Sequence, residues 1–116
     1  MKAEVIPMKD TEFEMCPRFE QAVDLLSKRW VALIVFVLMP GPRRFGEIED
    51  RLVNLSGKVL SDRLKEMETE GIVERKVYPE TPVRIEYSLT PKGHALAPIL
   101  GEIQNWSSSW IEAGVR

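Results

Sequence analysis

The sequence of 116 residues predicts a mainly helical α+β fold, in which several helices precede a two-stranded hairpin and a long helix follows it. Three observations lead to this prediction. Apolar residues recur at three- and four-residue spacing over residues 17–70 and again over residues 91–110. Between these segments the period changes to two, which is typical of strands. Proline and glycine mark the boundaries, so each element can be assigned in turn.

The chain is expected to begin with an arm, residues 1–15, in which charged residues follow no helical or strand period. Pro17 suits the first turn of a helix. The apolar residues that follow would share one helical face, and they are Phe19, Ala22, Val23 and Leu26. The first helix is therefore predicted to run to about Ser27.

Residues 30–39 are apolar all round, and a helix of this kind has to be enclosed by other elements. We therefore expect Trp30 and Phe36 to belong to the core rather than to a ligand site. A Pro-Gly-Pro sequence ends this helix. A short third helix is predicted for residues 44–52, and its apolar side would consist of Phe45, Ile48 and Leu52.

A fourth helix is predicted to start after Ser56, whose hydroxyl can accept a hydrogen bond from a free amide of the first turn. Its core face would carry Leu60, Leu64 and Met67, and Gly71 would supply the left-handed exit. Small and cationic side chains remain on the free side of this helix, namely Lys58, Ser61 and Lys65.

After Gly71 apolar and charged residues alternate, which predicts two strands joined by a turn at residues 79–82. The core side of the second strand would consist of Val83, Ile85 and Tyr87. Thr90 then begins a last helix, which Pro98 should bend or interrupt. Its apolar stripe is formed by Leu96, Ile99, Leu100, Ile103, Trp106 and Trp110.

Composition and charge exclude several classes of protein. Hydrophobic residues make up 44% and charged residues 29%, which is the balance of an ordinary folded domain. The net charge of −2 argues against general nucleic-acid binding, so any DNA contact has to come from a local cationic patch. The longest apolar run is about half of the ~20 residues that cross a bilayer. A single-domain cytoplasmic protein without a signal peptide or a membrane partner is expected.

No catalytic residue, cofactor or metal site is predicted. His94 is the only histidine, and no cluster of cysteines accompanies it, so a metal-ligand set is incomplete. The serines at 107–109 have no histidine placed to activate a nucleophile. The chain is therefore not expected to be an enzyme.

Helices followed by a hairpin, with the third and fourth helices separated by a short turn, are the arrangement of a winged helix-turn-helix. The free side of the fourth helix could enter a major groove, and its N-terminal amides could hold a phosphate. Arg75 adds charge to the hairpin. The candidate DNA-binding residues are Arg43, Arg44, Ser56, Gly57, Lys58, Ser61, Lys65, Lys76 and Arg84. The same cations could equally be an ordinary solvated surface, because acidic residues are interleaved with them.

Residues 16–110 resemble the HxlR-type winged-helix regulators, which are relatives of the MarR group. The matching segments are CPRFEQAVDLLSKRWVALIVFVL, RRFGEIEDRL and LSGKVLSDRLKEMETEGIVERKVYPETPVRIEYSLTPKGHAL. The resemblance implies a transcription regulator that binds double-stranded operator DNA as a homodimer. The two chains would join through the amino-terminal region and the last helix, and the DNA half-sites would lie about 10 base pairs apart.

The stripe on the last helix fits a dimer interface independently, because a small domain has little surface left to cover the distal tryptophans. The expected interface residues are Leu96, Ile99, Ile103, Trp106 and Trp110. The expected division of the chain is an arm at 1–15, a winged helix-turn-helix domain at 16–90 and a dimerisation helix at 91–116.

Cys16 is the only cysteine, and the resemblance implies that it is a candidate sensor of quinones, aldehydes or oxidants. Free amides at the start of the helix, and Arg18, could lower the pKa of its thiol, and the thiolate is the reactive form. Three alternatives remain open at this point: an inert buried cysteine, control by a non-covalent small-molecule effector, and a winged-helix module that binds protein instead of DNA.

Overall fold

The computed structural model describes residues 15–114, so the predicted arm lies outside the described residues except for Met15. The elements in chain order are α1 Pro17–Ser27, α2 Val31–Leu38, α3 Phe45–Arg51, α4 Gly57–Thr69, β1 Val73–Tyr78, β2 Arg84–Leu89, α5 Pro91–His94 and α6 Ala97–Trp110. The two strands form an antiparallel hairpin. This order confirms the predicted α+β winged helix-turn-helix. The chain divides into two compact units, the first ending at Ala32 and the second beginning at Leu33.

The first unit contains α1, which begins after Cys16 with a proline in its first turn, as predicted. No residue of α1 is buried. Phe19 and Val23 are 58% and 46% exposed, although the spacing places them on one apolar face. The helix is therefore amphipathic, and its apolar face is open to solvent.

α2 supplies several of the most deeply buried side chains, including Ile34, Val35 and Leu38. The prediction that this helix is enclosed on all sides is wrong, because Leu33 and Phe36 are each 50% exposed. Phe36 is thus not a core residue in the single chain. Trp30 has a φ of 81° and precedes the helix, so α2 is also shorter than the apolar run that predicted it.

In the second unit the core lies under α4, whose buried residues are the predicted Leu60, Leu64 and Met67. The helix starts as expected, because Ser56 Oγ accepts a hydrogen bond from the Val59 amide at 3.1 Å. The helix ends at Thr69, and Gly71, two residues later, has the predicted left-handed conformation with a φ of 78°. Further buried side chains around α4 come from the neighbouring segments and are Ile48, Leu52, Leu55, Ile72, Val73 and Leu89.

The hairpin is buried only at its base. Its register runs from Val73 opposite Leu89 at the base to Tyr78 opposite Arg84 at the tip. Val73 and Leu89 are 2% and 7% exposed. Val83, expected on the core side, lies outside β2 and is 56% exposed, so this part of the prediction is wrong. The physical reason is the length of the hairpin. The helices cover only its base, so a residue near the tip such as Val83 stays in solvent.

The predicted last helix is interrupted, with α5 ending at His94 and α6 starting at Ala97 with Pro98 in its first turn. α5 is held against the base of the hairpin. Thr90 Oγ1 donates to the Gly71 carbonyl at 2.5 Å and accepts from the Gly93 amide at 3.0 Å. A Cβ on Gly93 would overlap the Ile72 carbonyl oxygen, so only glycine allows this approach.

Candidate nucleic-acid interface

The free side of α4 carries two lysines with different surroundings. Lys58 is 84% exposed and forms an ion pair with Asp62 at 3.2 Å. An exposed pair of this kind contributes little to stability, so a DNA phosphate could replace it. Lys65 is exposed, and in residues 15–114 its ammonium group has no ion pair or hydrogen bond. Ser61, one turn before Lys65, is half-buried.

The N-terminus of α4 already has a carboxylate beside it. A Cβ on Gly57 would lie 3.0 Å from Oε2 of Glu49, which belongs to α3. The phosphate expected at these amides would therefore meet a negative charge. Sequence spacing did not reveal this, because it does not show which α3 side chain turns towards α4.

The two arginines before α3 have separate surroundings. Arg43 exchanges two backbone hydrogen bonds with Tyr87, at 2.9 and 2.8 Å, and its Nε donates to the Val37 carbonyl at 2.9 Å. Much of its hydrogen-bonding capacity is thus used within the fold. Arg44 is exposed, and its backbone amide donates to Glu47 Oε1 at 2.8 Å. The side chain of Arg44 is therefore the better placed of the two for an outside partner.

The guanidinium of Arg84 is engaged by its own hairpin. It pairs with Glu86 at 2.6 Å and Glu80 at 2.8 Å, and it lies 3.8 Å from the ring centre of Tyr78. The hydrogen bonds that Arg84 donates to Glu80 and Glu86 raise the pKa of Arg84, and the bond that Glu80 accepts from Arg84 lowers the pKa of Glu80. Lys76, by contrast, is exposed without an ion pair in the described residues.

A concave surface lies between α4 and the hairpin, and its lining residues are Ser61, Leu64, Lys65, Glu68, Arg75 and Tyr87. Arg75 and Tyr87 are directly opposite each other in the sheet. The sequence placed Arg75 on the hairpin but did not select it as a DNA-binding candidate, because alternation along a strand does not identify the helix that the strand faces.

Cys16 is exposed at the start of α1, so the alternative of a buried, inert thiol is wrong. The backbone amides of Phe19 and Arg18 lower the pKa of the thiol, and the charge of Arg18 acts in the same direction. This direction agrees with the expectation from the sequence. The thiol is thus accessible, and more of it is ionised at neutral pH than in an ordinary cysteine.

The apolar stripe of α6 faces solvent over most of its length. Leu100 is 8% exposed, whereas exposure rises towards the end of the helix, to 60% for Trp106 and 73% for Trp110. Ile99 and Ile103 are 46% and 53% exposed on the same stripe. Leu96, the first predicted interface residue, is half-buried.

In residues 15–114 no group of three or more histidine, cysteine, aspartate or glutamate side chains could hold a metal ion. No helix in this part of the chain is long and apolar enough to cross a membrane.

The family model described as HxlR-like helix-turn-helix matches residues 25–115. The chain belongs to this family. The HTH-type transcriptional regulator YvaP of Bacillus subtilis is similar to this HxlR-like chain, with 73% identity over 85% of the chain and 92% of the relative. The HTH-type transcriptional regulator YodB of the same organism is 51% identical over 86% of the chain and 89% of its own length.

Solved structures agree with the family assignment. The reduced form of YodB matches with a TM-score of 0.77 and 50% identity, over 87% of this HxlR-like chain and 99% of that protein. YodB is also solved after diamide treatment, with a TM-score of 0.71, and bound to a quinone, with a TM-score of 0.72. The redox regulator HypR in its oxidised form matches with a TM-score of 0.77 and 30% identity, over 83% of this chain and 99% of HypR.

Proposed function

We propose that this protein is a homodimeric transcription regulator that binds double-stranded operator DNA through α4 and the hairpin. The observation that carries the proposal is the free side of α4, where exposed Lys65 and half-buried Ser61 lie beside the cations of the hairpin. An α-helix with short polar and cationic side chains fits a major groove and can donate to phosphates. The family of HTH-type regulators to which the chain belongs supports the same function.

The test uses the purified protein and DNA duplexes from the region upstream of its own gene. Fluorescence anisotropy measures binding at several salt concentrations. Lys65→Ala should weaken binding to all duplexes and lower the salt slope by about one unit, because one phosphate contact is lost. Lys58→Ala should have a smaller effect, since Asp62 already pairs with it. Absence of binding by the wild type at low salt would instead favour a module that binds protein.

The exposed apolar faces support a dimer. A soluble chain rarely leaves a stripe such as Ile99, Ile103, Trp106 and Trp110 in water unless another surface covers it. A second copy of the chain is the proposed cover. α5 is hydrogen-bonded to the base of the hairpin, so residues 91–94 are assigned to the winged domain. The proposed dimerisation segment is therefore shorter than the predicted 91–116 and begins with α6.

Sedimentation equilibrium should show a dimer at micromolar concentration. Trp106→Ala and Trp110→Ala should each weaken it, because large aromatic side chains contribute much of the free energy of an interface. Ser109→Ala, on the same helix, is the matched control and should leave the dimer intact. A wild-type monomer at this concentration would contradict the assembly.

Cys16 is proposed as the site at which thiol-reactive compounds control DNA binding. The support is its exposure, the lowered pKa of its thiol and the quinone-bound and diamide-treated forms of YodB. With a quinone, the thiolate sulfur forms a bond to a ring carbon, and the ring takes up a proton to become a substituted hydroquinone. With diamide, two thiols lose their protons and two electrons to form a disulfide, and diamide becomes the hydrazine. Since each chain has one cysteine, the second thiol belongs to another chain or a small thiol.

DNA affinity should fall after treatment of the wild type with diamide or a quinone, and mass spectrometry should locate the change at Cys16. Cys16→Ser should bind DNA as the untreated wild type does and should not respond to either reagent. Complete modification of Cys16 without a change in affinity would contradict the switch and favour a non-covalent effector.

A further inference from the structure

We propose that the concave surface between α4 and the hairpin is a subsite for one backbone phosphate of the operator DNA, held by Ser61, Lys65, Arg75 and Tyr87. This subsite rests on the proposed function. It adds Arg75 and Tyr87 to the DNA-binding residues and assigns them a phosphodiester rather than a base.

The first argument comes from the pairing of the strands. The backbone amide and carbonyl of Tyr87 form their hydrogen bonds with Arg43 and point away from β1. Tyr87 and Arg75, which lie opposite each other in the sheet, are therefore a non-hydrogen-bonded pair. Pairs of this type have Cα atoms only about 4.5 Å apart and side chains on the same face of the sheet. The side chains of Arg75 and Tyr87 therefore leave the backbone at adjacent positions on one face of the sheet.

The second argument comes from α4, which supplies the opposite wall. Ser61 and Lys65 are one helical turn apart and so lie on the same side of the helix. Leu64, which is 1% exposed, forms the floor of the surface. A hydroxyl and an ammonium group thus face the hydroxyl and the guanidinium of the hairpin across a cleft.

The third argument is that these cations are free. In residues 15–114 neither Lys65 nor Arg75 has an ion pair or a side-chain hydrogen bond. Arg84 and Lys58 are both paired with carboxylates. Glu68 is the one acid lining the cleft, and it leaves a net positive charge there. Four donors around a net positive charge match the oxygens of a phosphate.

The position of the cleft indicates DNA as the source of the phosphate. A helix in a major groove has a sugar-phosphate backbone on each side, and a hairpin that follows the helix lies across one of them. The cleft between the two elements is therefore where that backbone would pass. A site for a free anion could lie anywhere on the surface, whereas this cleft lies beside the helix that is proposed to enter the groove.

The test combines variants of the protein with variants of the DNA. Fluorescence anisotropy measures their binding over a range of salt concentrations. Arg75→Gln should weaken binding about tenfold and lower the salt slope by about one unit, whereas Arg75→Lys should keep the slope. Tyr87→Phe should weaken binding about threefold without changing the slope, because only a neutral hydrogen bond is lost. Arg51→Gln removes the same charge from α3 and should leave affinity unchanged. Circular dichroism monitors the fold of each variant.

Duplexes with a single neutral methylphosphonate identify the phosphate. One position should weaken binding of the wild type and leave Arg75→Gln unaffected, because its partner is already gone. If Arg75→Gln binds with the wild-type slope, or if every neutral position weakens both proteins equally, the subsite is wrong while the proposed function stands. If millimolar inorganic phosphate binds at Arg75, and Arg75→Gln binds DNA as tightly as the wild type does, the cleft is a site for a free anion. Absence of DNA binding by the wild type would overturn both proposals.

Discussion

The base and the tip of the hairpin are stabilised by different kinds of interaction. At the base, Val73 and Leu89 are buried, and α5 approaches so closely that only Gly93 fits. At the tip, Arg84 joins Glu80, Glu86 and the ring of Tyr78 in an ion-pair cluster that is partly open to water. Close packing is insensitive to salt and intolerant of added atoms, whereas exposed charges are screened by salt and tolerate substitution. The hairpin therefore combines a rigid half with an adjustable one.

The proposed phosphate subsite belongs to the rigid half. Arg75 and Tyr87 lie two residues from the base pair of Val73 and Leu89 and three residues from the tip pair of Tyr78 and Arg84. A group fixed by packing holds its geometry better than one fixed by exposed ion pairs. The comparison thus predicts that variants which disturb the packing at the base damage folding and DNA binding together, whereas variants at the tip leave folding largely intact.

The largest effect is expected for Gly93→Ala. Its Cβ would overlap the Ile72 carbonyl oxygen and lie 3.1 Å from Leu89, so α5 or β1 has to move. We expect the free energy of unfolding to fall by about 3 kcal/mol. Gly101→Ala in α6 is the matched control, because its added Cβ would meet no atom within 4 Å beyond the adjacent residues and the backbone of its own helix, and helix propensity predicts a gain of up to ~1 kcal/mol. Urea denaturation at one protein concentration measures both, and equal stabilities would contradict the close approach.

A smaller loss is expected for Thr90→Val, which keeps the shape of the side chain and removes its hydroxyl. The Gly71 carbonyl loses a donor and the Gly93 amide loses its acceptor. The free energy of unfolding should fall by about 1–2 kcal/mol. Thr90→Ser retains the hydroxyl and should recover most of this loss. If serine and valine are equally destabilising, the hydrogen bonds do not account for the stability of the base.

Arg84→Ala tests the tip. Glu80 and Glu86 lose their shared partner, so we expect faster hydrogen exchange at tip amides such as that of Glu80, with no change at the Leu89 end of the hairpin. Lys76→Ala removes a cation that has no ion pair in the described residues and should leave exchange unchanged. Faster exchange along the whole hairpin would show that base and tip open as one unit.

The smallest effect is the pH dependence of the tip. Because Arg84 lowers the pKa of Glu80 in the folded chain, the unfolded chain binds the proton more readily. The ion pair therefore stabilises the fold fully above the unfolded pKa of about 4.3, and this contribution is lost as the pH falls through the lower folded pKa. NMR titration of the Glu80 carboxyl should show its midpoint rising towards the ordinary value in Arg84→Ala. An identical midpoint in both proteins would contradict the pairing.

Features fixed by a few neighbouring residues were predictable from the sequence. The cap at Ser56, the glycine exit at Gly71 and the break before Pro98 each depend on residues within one or two turns. The buried face of α4 followed from helical spacing for the same reason. Local rules therefore located the elements and the free side of α4.

Features that depend on distant residues were not predictable. Glu49 lies beside Gly57, and Arg43 pairs with Tyr87, because the fold brings together residues of different elements that spacing does not relate. The open faces of α1 and α2 were missed for another reason. Apolar spacing predicts that a face will be covered, but it does not distinguish cover within the chain from cover by a second chain.

The two backbone hydrogen bonds between Arg43 and Tyr87 also bear on aggregation. An unpaired strand at the margin of a sheet is a template on which strands of other molecules can add. Arg43 occupies the outer margin of β2 at its middle, and the outer margin of β1 carries the charged run of Glu74, Arg75 and Lys76. One margin is thus blocked by hydrogen bonding and the other by charge. The hairpin can therefore extend beyond the helices without offering a free margin for the growth of fibrils.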